Sequence, residues 1–169
     1  PGTDVVPLSR AMNAADENHL AAGDVYILLF RENTSGKYEY AYRLVPRSFV
    51  EGTDPLGATY TIGILHGFPQ SDWSVNFRAM IVAGVTGSDM DEFEKRIDGV
   101  NRAENPMEAA RARLMFTQVG NWPVTRKLPM WGESSSSFKL DAENMGTITL
   151  LRAVARVDVG VNFEKNGDS

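Results

Sequence analysis

The sequence predicts a mainly β fold, a sandwich or a barrel, and three observations predict it. The first is the stretch from Thr147 to Phe163. There Leu151, Ala153, Ala155, Val157, Val159, Val161 and Phe163 are apolar, with Arg152, Arg156, Asp158 and Asn162 among the residues between them. A period of two gives a long strand with one dry face, whereas helical spacing would scatter those charges around a cylinder. The second is a hairpin pattern over residues 24–44, with a Gly-containing turn between two β-rich runs. The third is the recurrence of short alternating runs separated by turn residues, without an internal repeat.

The bulk numbers agree with a globular chain. At 169 residues, 43% hydrophobic and 23% charged, the sequence fits a single domain over 1–169 with a core of ordinary size. A net charge of -5 and the absence of any basic run argue against nucleic acid as a partner, because phosphate binding needs clustered Lys and Arg. There is no cysteine, which removes disulfides, thiolate metal sites and cysteine nucleophiles. No apolar run approaches the roughly 18 residues of a membrane span. The start at Pro1 leads us to expect a processed chain whose targeting segment has gone.

In order along the chain, residues 1–23 are small and polar and are expected to form an arm across the edge of the domain. Asp24–Phe30 is apolar on both faces, as a central strand should be. Asn33-Thr-Ser-Gly36 is a turn, and Lys37–Leu44 returns with Tyr38, Tyr40, Tyr42 and Leu44 expected on one face. Pro46 and Glu51–Gly57 read as a loop, Ala58–Leu65 as a strand and His66–Asp72 as a turn. Trp73–Ala83 is the next strand, with Trp73, Val75, Phe77, Ala79 and Ile81 in line.

Residues 86–116 change character and are expected to be a helical insertion within a sandwich core of 24–163. Ser88 is the expected N-cap of its first helix, because Asp89, Asp91 and Glu92 follow at the positive end of the helix dipole. Phe93, Ile97 and Val100 mark its apolar face. Asn105-Pro106 starts a second helix, Asn as cap and Pro in the first turn. Leu128–Glu133 reads as an ordered loop, Ser134–Ser137 as a flexible tip, Phe138–Leu140 as a brief strand and 164–169 as a polar tail.

The search for chemistry returns no catalytic, cofactor-binding or metal site. His19 and His66 are the only histidines, and no nucleophile elbow, phosphate loop or zincin helix accompanies them. Gly84-Val-Thr-Gly87 lacks the rest of a phosphate fingerprint and reads as a strand-to-helix turn. Asp89, Asp91 and Glu92 lack the glycine and distal glutamate of a calcium loop. Arg152, Arg156 and Asp158 fit cross-strand charge pairing. The expectation is a non-enzymatic protein.

Two segments taken together resemble a known family. Leu128-Pro-Met-Trp-Gly-Glu133, followed by a polar loop and then Ile148-Thr-Leu-Leu-Arg-Ala-Val-Ala-Arg-Val-Asp-Val159, is similar to the signature of Bacteroides-type fimbrillins. Pro129, Trp131, Gly132, Arg152, Arg156 and Asp158 are the residues that carry it. At the front, Asp16-Glu-Asn-His-Leu20, Val25–Phe30 and the Gly36-Lys-Tyr hairpin resemble that family's opening segment.

The resemblance implies a transthyretin-like Greek-key β-sandwich of about seven strands. It further implies a fimbrial subunit or anchor at the cell surface or outer membrane, exported as a lipoprotein precursor whose lipid anchor lies outside this chain. Its partners would be other fimbrial subunits and a host or bacterial surface ligand, and assembly would proceed by donor-strand exchange. The residues expected to line an assembly groove are Val25, Ile27, Leu29, Leu151, Ala153, Ala155, Val157, Val159 and Val161. Arg10 is the candidate for the Arg-directed processing that the family undergoes. The lipid-attachment Cys and the family's second, C-terminal domain are not in the sequence, so the chain is expected to be one domain of a longer protein. An alternative from the residues alone is a glycan-binding sandwich module, with Trp73, Trp122, Trp131, Tyr38, Tyr40 and Tyr42 as a stacking platform. A hydrolase would need a carboxylate pair in a cleft, and none stands out.

Overall fold

Apolar residues on both faces of Val25–Phe30 put this segment at the centre of the molecule, and the rest of the fold is arranged around it. The computed structural model describes residues 20–52, 59–64, 66–98, 106–114, 127–142 and 145–152. These form two antiparallel sheets and two short helices. The strands are β1 (Val25–Glu32), β2 (Tyr38–Leu44), β3 (Ser48–Glu51), β4 (Tyr60–Gly63), β5 (Phe77–Ala83), β6 (Met130–Glu133) and β7 (Leu151–Arg152). The helices are α1 (Gly87–Asp98) and α2 (Pro106–Arg113). The main sheet has the order β2-β1-β5-β6-β7, and β3 pairs with β4 in a second, two-stranded sheet.

Alternation along β1 distributes its side chains between two cores. Tyr26, Leu28 and Phe30 point to one face, where Met80 and Val82 of β5 meet Met90, Phe93 and Ile97 of α1 and Met107 and Ala110 of α2. Val25, Ile27 and Leu29 point to the other, where Leu44, Phe77 and Ala79 pack with Ile62, Phe68 and Ile148, and Phe49 and Tyr60 cover Val25 and Ala83. The main sheet is therefore a middle layer between helices and the β3–β4 sheet. Among the described residues, the region expected as a helical insertion supplies the cover of one sheet face.

Several local expectations are corrected. The tyrosines of β2 do not share a face. Leu29 pairs with Tyr42 but Phe30 with Tyr40, so a bulge at Ala41 shifts the register by one residue. Tyr38 and Tyr40 turn to the helical layer and Tyr42 and Leu44 to the opposite core. Part of the segment expected as a loop is strand β3, paired with β4 from Ser48↔Gly63 to Glu51↔Tyr60. Trp73 precedes β5 and is 53% exposed, because Gln70–Asp72 form a turn of 3-10 helix before the strand begins. The α1 cap is Thr86 and not Ser88. The Asp89 amide donates to the Thr86 hydroxyl at 3.2 Å, and the Thr86 amide and hydroxyl donate to Asp89 Oδ2 at 3.0 and 2.9 Å.

Candidate functional site

The signature segment is built into the sheet through glycines. Gly84, just after β5, has φ of +70°, a conformation that glycine adopts without strain. A Cβ on it would lie 2.2 Å from the carbonyl oxygen of Leu128. A Cβ on Gly132 would lie 2.2 Å from the carbonyl oxygen of Thr149. Each missing side chain is a notch that seats a passing backbone, one for Leu128-Pro129 and one for Ile148-Thr149. Pro129 is fully buried beside the first notch.

What was expected to be a loop at 128–133 is thus partly strand β6, paired with β5 from Met80↔Glu133 to Ala83↔Met130. Trp131 packs against the helical core and Met130 against the opposite one. Glu133 closes a two-point ion pair with Arg111 of α2, both contacts at 2.6 Å, which ties the helical layer to this strand. The Arg111 guanidinium is held above its ordinary pKa, chiefly by its hydrogen bond to Glu133. Ser134, expected at a flexible tip, is 3% exposed. Its amide donates to the Ala79 carbonyl at 2.9 Å, and its hydroxyl accepts from the Ala79 amide at 3.0 Å. Arg78 donates to the Ser134 carbonyl at 2.7 Å and lies over the Tyr38 ring at 5.7 Å. The ring face answers part of a charge whose Nε is buried with no hydrogen-bond acceptor among the described residues.

The first segment of the signature meets the described start of the second in one ladder. Met130 pairs with Arg152 and Trp131 with Leu151. The approach to that ladder overturns the expected face of the terminal segment at its described end. Ile148 and Leu150 reach the cores, whereas Leu151 is 61% exposed. The cause is the crossing at Gly132. The chain steps over the sheet with its even-numbered residues inward, and Leu151 then emerges on the side of the partly buried Trp131, one strand further out. Ala153, Ala155, Arg156, Val157, Asp158, Val159 and Val161 lie outside the described residues, as do Arg10, His19 and Trp122.

The groove residues expected on β1 are placed differently. Val25, Ile27 and Leu29 are 0, 3 and 0% exposed, on a strand flanked by β2 and β5 and covered by other residues of this chain. They are interior core, because β1 is an inner strand of its sheet with both faces covered, so they do not line an open groove. The ring platform is also divided. The β2 bulge separates Tyr42 from Tyr38 and Tyr40, and Trp131 packs on the helical core while Trp73 is exposed.

One buried polar group has no signal in the sequence. Asp72 is 3% exposed. It accepts hydrogen bonds from the Tyr42 hydroxyl and, at 3.0 Å, from Arg31. Those bonds, that of Tyr42 first, hold the carboxyl below its ordinary pKa against burial, which pushes it up. Burial, and then the bond to Asp72, raises the pKa of Tyr42. Tyr42 in turn carries an aromatic cluster, with Phe68 edge-on at 5.2 Å and His66 at 5.5 Å. This arrangement anchors the 66–76 connection to the main sheet. A lone Asp in a turn gives no hint of burial, since its partners lie 30 and 41 residues away.

Among the described residues, no group of three or more His, Cys, Asp or Glu side chains is placed to hold a metal ion, and no helix is long and apolar enough to cross a membrane. No protein-family model, curated protein or solved structure matches the chain.

Proposed function

We propose that the chain is a structural subunit or anchor of a bacterial cell-surface fimbria, folded as a transthyretin-like Greek-key sandwich and joined to its neighbours by strand complementation. The observation that carries the proposal is the pairing of β6 with β7. The first part of the fimbrillin-like signature and the described start of its second part, Leu151-Arg152, are adjacent lanes of one sheet, and Gly132 opposes Thr149 at the crossing. The layered arrangement of antiparallel sheets supports the same reading, because donated strands bind by extending such sheets through backbone hydrogen bonds and alternate side-chain pockets. On this reading the protein is exported as a lipoprotein precursor to the outer membrane, and its partners are chains of the same or related kind.

Assembly is the property to measure. The natural-length protein, purified and treated with an Arg-specific protease, is expected to give a ladder of multimers on unheated denaturing gels. Boiling should collapse that ladder to one band, and negative-stain microscopy should show filaments. A protein that stays monomeric by light scattering after cleavage overturns the proposal. Intact mass assigns the processing site: absence of a cut within the first dozen residues would exclude Arg10.

A further inference from the structure

We draw no further inference here: the strongest candidate, the uncharged outer face of the β3–β4 sheet with Val50 60% exposed and Val45 61% exposed just before it, carries nothing because no feature of the structure shows what covers it.

Discussion

The Tyr42–Asp72 hydrogen bond links two titrations with opposite signs. Asp72 has a folded pKa below its unfolded value, so its contribution is present above the ordinary carboxylate pKa of about 4 and is lost as pH falls through the depressed value. Tyr42 has a folded pKa above its unfolded value, so its contribution is present below about 10 and is lost as pH climbs through the raised one. Stability should therefore fall off on both sides of a plateau. Tyr42→Phe should lower the plateau by about 1.5–3 kcal/mol, the range for a hydrogen bond to a charged group, and flatten both flanks in a series of thermal melts. If the flanks of wild type and variant are parallel, the bond does not set the pH response. Gly132 supplies a steric test. Its Cβ direction is blocked first by the Thr149 backbone, with the Ile148 side chain beside it, so Gly132→Ala should cost about 1–3 kcal/mol, as overpacking does. Gly23→Ala is the control, because nothing lies within 4 Å of a Cβ there. Equal urea midpoints for the two variants would remove the notch from the account.

At the scale of the element, α1 is attached to the sheet in two ways that differ in strength. Arg43 of β2 donates to Asp91 and Glu94 at 2.7 Å each and lies over the Tyr26 ring, while the Tyr40 hydroxyl donates to Glu94. Arg43 and Glu94 keep 30 and 25% of their side-chain surface and Asp91 keeps 59%, so water screens the pairs to about 1 kcal/mol or less. Phe93, at 0% exposure, forfeits about 3–5 kcal/mol when truncated to Ala. Phe93→Ala should thus destabilise several-fold more than Arg43→Met in denaturant titrations, and comparable losses would mean that ions hold the helix. The start of α1 could be read from Thr86-Gly-Ser-Asp89, which has capping-box spacing, once the frame is set by Thr86 and not by Ser88. The strand pair β1–β2 was legible from an apolar run, a Gly-containing turn and an alternating return run, but its bulge was not. One extra residue leaves the composition of Tyr38–Leu44 unchanged, and only the demand of two cores for opposite faces fixes where it goes. β6 was hidden for a related reason. Four residues containing Trp and Gly show too little alternation to declare a strand, and the glycine matters because of a chain segment that approaches from Thr149.

The whole molecule poses a question of economy that its topology answers. Ala83 at the end of β5 is paired with Met130 at the start of β6, and antiparallel strands so placed can be joined by a turn of two to about five residues. The chain instead leaves the sheet at Gly84 and returns at Pro129, and the described part of that excursion contains both helices. What it achieves is cover. Tyr26, Leu28, Phe30, Met80 and Val82 all present apolar surface on that side, more than a soluble sheet face tolerates without a partner. Replacing Gly84–Pro129 with a short Asn-Gly hairpin should therefore keep the strands connectable and still abolish cooperative folding. The variant should bind a dye specific for exposed apolar surface, lose its sharp thermal transition and aggregate at concentrations where the parent chain stays dispersed. A second variant separates loss of cover from loss of connection: replacing Leu28, Phe30 and Val82 with Thr in the shortened chain should lower dye binding. If the shortened chain alone melts as sharply as the parent and binds no more dye, the helices are an appendage, and the main sheet does not depend on them as its second wall.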